Sequence, residues 1–390
     1  PTFENLPVKG RKVLLRVDFN VPLTKEGQVA DDTRIRASLP TIRDLLERGA
    51  AVILLSHLGR PEGKKDPKYS LRPTAQVLGE LLHKPVKMAP DTIGKEVEEL
   101  AKDLKPGEIL LLENLRFYPG EEDPQKHPEF AKQLAALADF YVNDAFGTAH
   151  RAHASTVEVA RYFPGKRGIG HLMETELDFL KRIFQTPAHP FVALVGGSKI
   201  STKLGILRSL GKEADFLLVG GAMAYTLLKA RGVEIGDSLW EEKQLKGGQE
   251  LLNLGEKLIL PIDHVVRKGS EKKVVTNQEG IPAGWQGVDI GPQTLALFNS
   301  HLKKAQLIFW NGPVGIFEEP PFDEGTKGLA KTITHTHAVT VVGGGDSIAA
   351  LQQMGLASKI SHLSTGGGAT LEYIENGSLP GVKVLEEGAK

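Results

Sequence analysis

Short apolar runs separated by amphipathic stretches set the rhythm of the first half of the chain. Runs at 12–17, 51–56, 86–89, 109–112 and 140–143 have the length and composition of buried strands. Between them, apolar positions at helical spacing predict helices near 42–48, 75–83, 95–103 and 130–138. Pro40 precedes the first of these, so a cap at Ser38 or Leu39 with the proline in the first turn is expected. Alternating strand and helix imply a parallel sheet covered on both faces. The second half repeats the rhythm with more glycine: runs at 191–195, 215–219, 306–310, 338–342 and 360–364 each open into a glycine-bearing turn. Between the halves, Leu177, Leu180, Ile183 and Phe184 predict one long helix over 173–184, placed where a hinge would be. The expected fold class is α/β, two doubly wound parallel-sheet (Rossmann-like) domains joined by that helix. Expected boundaries are 1–169, 170–186 for the helix segment, 187–371, and a C-terminal segment 372–390.

Composition narrows the classes. A chain of 390 residues exceeds one ordinary core, which favours two domains. The 48 basic and 48 acidic residues cancel, which argues against a nucleic-acid binder acting through bulk charge and requires any basic site to be concentrated. With no cysteine, disulfides, thiolate nucleophiles and cysteine metal sites are excluded. The first residues carry no apolar leader and no run reaches the length of a membrane span, so no membrane partner and a cytoplasmic location are expected.

Candidate chemistry stands just past the strand ends, where ligands bind in doubly wound sheets. In the first half these positions hold Asp18 and Asn20, His57 and Arg60, Arg116, and His150 with Arg151; Arg34 follows the acidic pair Asp31-Asp32. Each arginine alone reads as a surface ion pair, but converging on one sheet edge they would form a basic bowl for a small, multiply anionic ligand. His150 and His153 suggest a metal pair but lack a third candidate ligand nearby. In the second half, FVALVGGSKISTK at 191–203 reads as strand, glycine turn and helix start, with Lys199 and Lys203 on one helix face. It is either a phosphate-seeking turn or a tight turn followed by two solvated lysines. Neither G-x-x-x-x-G-K-[ST] nor G-x-G-x-x-G occurs, which counts against a Walker A loop and a dinucleotide-dependent dehydrogenase. Five glycine turns on one edge would leave a backbone-lined cleft suited to a nucleotide, in an enzyme or in a non-catalytic binding protein. Asp346 reads first as a helix N-cap and, beside a phosphate cleft, as a ligand for Mg²⁺, two roles the sequence does not separate.

Eight ordered motifs, RVDFNVP at 16–22, SHLGRP at 56–61, ENLRF at 113–117, NDAFGTAHR at 143–151, VGGSKISTK at 195–203, WNGPVGIFE at 310–318, VGGGDS at 342–347 and STGGGATLE at 364–372, resemble the phosphoglycerate kinase family. The resemblance implies phosphoryl transfer between 1,3-bisphosphoglycerate and ADP, giving 3-phosphoglycerate and ATP, with Mg²⁺. It further implies that Asp18, Asn20, Arg34, His57, Arg60, Arg116 and Arg151 bind the phosphoglycerate. Gly197, Lys199, Lys203, Gly221, Asn311, Pro313, Glu318, Gly343, Gly344, Gly345, Asp346 and Ser347 would serve the nucleotide, with Glu318 on the ribose and Asp346 on the metal. Arg34, Lys199, Gly345 and Gly368 are the expected catalytic positions. A monomer acting on small molecules, with residues 372–390 packed back on the first domain, is also implied. Both acceptors are already ionised at neutral pH, so alignment and charge stabilisation are expected to suffice without a general base. His57 is accordingly expected to bind substrate and not to move a proton.

Overall fold

The buried runs do become strands. In the computed structural model, which describes residues 1–387, the first half forms β1 (Lys12–Arg16), α1 (Thr33–Glu47), β2 (Ala51–Leu55), α2 (Arg72–Leu82), β3 (Lys87–Met88), α3 (Lys95–Lys102), β4 (Ile109–Leu111), α4 (Pro128–Ala135), β5 (Phe140–Asn143) and β6 (Arg167–Ile169). The six strands make one parallel sheet in the order β3-β4-β2-β1-β5-β6. Every residue of β2 and β5 is buried, as a sheet covered on both faces requires. The chain works outward from β1 to one side and then returns to β5, so the strand order reverses between β1 and β5. Ile35, Leu39 and Ile42 of α1 pack with Leu15, Val52 and Leu54 beneath the sheet.

Helix α1 corrects the expectation around Pro40. It starts at Thr33, and the proline lies inside it. A mid-helix proline removes one backbone donor. Here the apolar stripe of Ile35, Leu39, Ile42 and Leu45, all buried, holds the helix across that gap, and burial outweighs local propensity.

Helix α5 (His171–Phe184) leads to a second set of elements: β7 (Phe191–Val195), α6 (Leu204–Glu213), β8 (Phe216–Val219), α7 (Met223–Ala230), α8 (Leu245–Leu252), β9 (Leu258–Ile259), β10 (Asp263–Lys268), β11 (Glu271–Thr276), β12 (Gln286–Ile290), α9 (Pro292–Lys304), β13 (Leu307–Asn311), α10 (Glu324–His335), β14 (Val339–Gly343), α11 (Gly345–Gln353), β15 (His362–Ser364), α12 (Gly368–Asn376) and α13 (Pro380–Glu386). A second parallel sheet runs β15-β14-β13-β7-β8-β9, with its reversal between β7 and β13. Val192, Leu194, Trp310 and Val342 of this sheet pack with Phe298 and Leu329 of α9 and α10. A separate antiparallel sheet, β11-β10-β12, was not anticipated from the sequence.

The chain divides into two compact units, Pro1–Asp178 with Ser378–Lys390, and Phe179–Gly377. The division falls inside α5, and not at either end of the expected 170–186 segment. The expected 372–390 segment is also split. Its first residues complete α12 in the second unit, whereas α13 belongs to the first, with the Gly381 N–H donating to Ala149 O at 2.8 Å and Val384 and Leu385 buried. Residues 388–390 lie outside the described residues.

Candidate active site

In the first unit the reversal between β1 and β5 places the turns after Arg16 and Asn143 at the carboxyl edge of the sheet, beside the turn after β2. Hydrogen bonds tie these turns together. Asn20 Oδ1 accepts from Gly59 N–H at 2.9 Å, and Arg116 Nη1 donates to Gly59 O at 3.0 Å. Gly59 has φ +60°, and a Cβ there would come within 2.6 Å of the Tyr69 ring, so only glycine fits this junction. Arg34, in the first turn of α1, donates to Asn20 O at 2.7 Å and lies 3.4 Å from Asp18 Oδ1. Its side chain remains 42% exposed, so it keeps donor capacity for a ligand. Arg60 and Arg151 are exposed, while Arg116 is largely buried, its Nε 4.0 Å from Glu122 Oε1 and without a hydrogen-bond partner. An unsatisfied buried guanidinium donor is costly and suits an anion that supplies the missing acceptor.

His57 is buried, and its protonation is held well below the ordinary histidine range by burial, then by Arg16, Arg116, Arg34 and His153. His153 is pushed down to about 4 by burial and by Arg116, Arg16, Arg151 and His150. His150 is lowered by burial and Arg151. All three imidazoles are therefore neutral at physiological pH. The Nδ1 atoms of His150 and His153 are buried without a partner. Arg16, Glu121 and Ser155 form a buried polar group directly behind His57, which sequence reasoning missed. The available signal was Arg16 itself, a charged residue directly after the apolar run Val13–Leu15.

In the second unit the reversal between β7 and β13 opens a cavity of about 500 Å³. Its lining includes Gly197, Lys199, Lys203, Gly221, Asn311, Pro313, Glu318, Gly344, Gly345 and Asp346, so most of the expected nucleotide residues meet there. Tyr225, Leu239, Val288, Val314 and Ile316 supply an apolar wall suited to a planar base. Gly221 has φ +73°, and a Cβ on it would press on the Gly197 backbone, so the two glycine turns stand in direct contact. Three expected residues are outside the lining. Gly343 is the buried end of β14, Gly368 is the exposed first residue of α12, and Ser347 is buried with Oγ accepting from Gly312 N–H at 2.7 Å. Ser347 thus shapes the 311–315 turn from behind.

The two lysines do not share a helix face as expected. Lys199 precedes a 3₁₀ turn, Ile200–Thr202, and Lys203 stands between that turn and α6. Lys199 is exposed, whereas Lys203 is drawn inward and donates to Gly196 O at 2.5 Å. Burial pushes the Lys203 ammonium down to about 8, against the opposing pull of Asp346. The cap of α11 is Gly344, so Asp346 is not the N-cap; it sits in the first turn, exposed. A hard carboxylate oxygen at the wall of this cavity fits Mg²⁺, which keeps several waters and takes one or two protein carboxylates. The α11 N-terminus at the cavity wall adds unpaired N–H groups and positive dipole potential.

The family model described as phosphoglycerate kinase matches residues 3–377. Phosphoglycerate kinase of Desulforudis audaxviator is 53% identical over 391 residues, covering 99% of this chain and 98% of that protein. That of Rubrobacter xylanophilus is 52% identical, covering 98% and 97%. Among solved structures, phosphoglycerate kinase from Coxiella burnetii superposes with a TM-score of 0.91 at 39% identity and complete coverage of both chains. The enzyme from Pyrococcus horikoshii OT3 gives 0.83 at 33% identity, covering 99% of this chain and 98% of that one.

Proposed function

Because the chain belongs to the phosphoglycerate kinase family, we propose that its first unit seats the phosphoglycerate and its second unit the nucleotide. The reaction is the reversible transfer of a phosphoryl group between 1,3-bisphosphoglycerate and ADP, giving 3-phosphoglycerate and ATP. In the first unit Arg34, Arg60, Arg116 and Arg151 neutralise the substrate's phosphate and carboxylate charge, while Asp18, Asn20 and His57 orient it. In the second, Gly197, Gly221, Asn311, Pro313 and Gly344 shape the nucleotide seat, Glu318 takes the ribose, and Lys203 meets a phosphate. Asp346 would hold Mg²⁺, whose chemistry is neutralisation of the nucleotide's β- and γ-oxygens.

The attacking oxygen in either direction is already ionised, so the protein need not remove a proton. The work left is to align donor and acceptor and to stabilise the spreading charge. Lys199, exposed on its turn, and Arg34 deliver mobile cations to the moving group, and the backbone at Gly345 and Gly368 begins helices α11 and α12. A neutral His57 is consistent with binding and not with acid catalysis. We extend the same reading to a monomeric, cytoplasmic enzyme with neither nucleic-acid nor membrane partners; no helix among the described residues is long and apolar enough to cross a membrane.

The observation that carries this assignment is that each sheet reverses its strand order where its candidate residues gather, arginines in one unit and glycine turns with lysines in the other. The test is turnover of ATP and 3-phosphoglycerate in a coupled assay. Lys199→Ala should lower kcat by about two to three orders of magnitude, with smaller changes in either KM, because its charge acts mainly in the transition state. An unchanged kcat would remove Lys199 from the chemistry.

A further inference from the structure

Arg16 ends β1 at the centre of the first sheet and is fully buried. A buried guanidinium must find partners for its donors. Its Nε donates to Ser155 Oγ at 2.8 Å, its Nη1 donates to Val17 O, and its Nη2 lies 3.0 Å from His57 Nδ1. The countercharge is Glu121, also fully buried, with Oε2 3.9 Å from Arg16 Nη2. Glu121 is itself fixed by Ser155, accepting from the backbone N–H at 2.8 Å and from the hydroxyl at 2.6 Å.

These bonds have one consistent direction. Guanidinium has donors and no acceptor, so His57 Nδ1 must accept and is unprotonated. Ser155 Oγ accepts from Arg16 and donates its own hydroxyl hydrogen bond to Glu121, which orients the hydroxyl. The charged and titratable groups that act most strongly on His57 are Arg16, Arg116, Arg34 and His153, none of them acidic. A second proton on the ring is therefore disfavoured, and with Nδ1 facing the Arg16 guanidinium the single ring proton resides on Nε2.

We propose that Arg16 and Glu121 are positioning residues that lock His57 as the Nε2–H tautomer, giving the phosphoglycerate site a hydrogen-bond donor that does not titrate across neutral pH. The inference rests on the reading of His57 as a substrate contact. Its logic is that of a buried carboxylate orienting an imidazole, with the sign reversed. A cation supplies the donor, the ring stays neutral, and Glu121 balances the cation from behind. A charged imidazolium would add attraction for the anion but make affinity pH-dependent; the locked neutral donor avoids that dependence.

The test begins with the unmodified enzyme. ¹⁵N–¹H NMR of the His57 ring without ligand should show a proton on Nε2, a bare Nδ1, and no titration between about pH 5.5 and about pH 8.5, a range spanning the ordinary histidine pKa. A proton on Nδ1, or titration within that window, would overturn the proposal whatever the ring does with substrate. Adding 3-phosphoglycerate should move the Nε2–H resonance; an unmoved resonance would remove His57 as a substrate contact while leaving the tautomer result standing. The paired variant Arg16→Met/Glu121→Gln removes both buried charges together, so neither is stranded. It should show mixed tautomers and raise the KM for 3-phosphoglycerate about tenfold, the order expected for losing one hydrogen bond to a charged group. That KM should become pH-dependent while the KM for ADP stays put. Retention of the wild-type tautomer and KM in this variant would reject a positioning role.

Discussion

At the scale of single residues, Lys203 makes a pH prediction whose sign can be worked out. Its ammonium is pushed down to about 8 in the folded protein, against about 10.4 in the unfolded chain. Between those values the unfolded chain binds more protons, so Lys203 makes stability rise with pH across that window, and contributes no slope below about 8. Nucleotide phosphate favours the ammonium, so binding above pH 8 must take up a proton. ADP affinity should therefore fall as pH rises from about 7 to about 9.5, and Lys203→Met should flatten this fall. Calorimetry in buffers of differing ionisation enthalpy reads the proton uptake directly; a flat affinity profile in the wild type would exclude the assignment. The sequence showed Lys203 and its spacing from Lys199, but not its burial. That depends on the Gly196 carbonyl and on the 3₁₀ turn, neither of which has a sequence signature. Arg16 and Glu121 were hidden for a related reason: a buried ion pair is made by side chains distant in sequence, and each member alone reads as surface charge.

Among elements, the parallel strands were the most legible, because a strand buried on both faces is a continuous apolar run, as in the AVILL of β2. The sheet of β10, β11 and β12 was not, since β11 is an edge strand reading EKKVVT with four of its six residues exposed, and its lysines mask the strand pattern. Helix α5 was legible in its apolar stripe, but the means of starting it was not. Asp144, at the end of β5, accepts from the N–H groups of Leu172 and Met173 at 3.0 and 3.2 Å through Oδ1, while Oδ2 is buried without a hydrogen-bond partner. Burial pushes this carboxyl up to about 7, opposed by Thr41, the two N–H groups and His171. Because its folded pKa exceeds the unfolded value near 3.9, the folded state holds the extra proton between about pH 4 and about pH 7. Its contribution therefore declines as pH rises through that window. Asp144→Asn keeps the capping oxygen and removes the charge, so it should match or exceed wild-type stability at neutral pH with a flatter pH dependence. Asp144→Ala should lose about 1–2 kcal/mol with the cap. Urea unfolding followed at several pH values separates them, and identical behaviour of the two variants would mean that Asp144 does not start α5.

For the whole molecule, the chemistry sets a requirement that neither unit meets alone. The residues proposed to bind the phosphoglycerate belong to the unit containing Pro1–Asp178, and the cavity proposed for the nucleotide to Phe179–Gly377, each built around its own apolar core. Transfer needs donor and acceptor within roughly 3–3.5 Å and water kept away from the phosphoryl group, so with one ligand proposed for each unit we expect joint binding to bring the two ligands together. The chain passes between the units twice, once inside α5 at Asp178 and Phe179 and once at Gly377 and Ser378. We expect any relative motion of the units to be bending at these crossings, since two covalent connections restrict independent tumbling. On the proposed assignment either ligand alone contacts one unit only and gives no differential energy for approach, whereas both together would. Small-angle X-ray scattering should therefore show a smaller radius of gyration with 3-phosphoglycerate and MgADP present together than with either one or neither. Equal radii in all four states would show that closure does not depend on joint occupancy, and would move the search for the water-excluding step away from bending at α5.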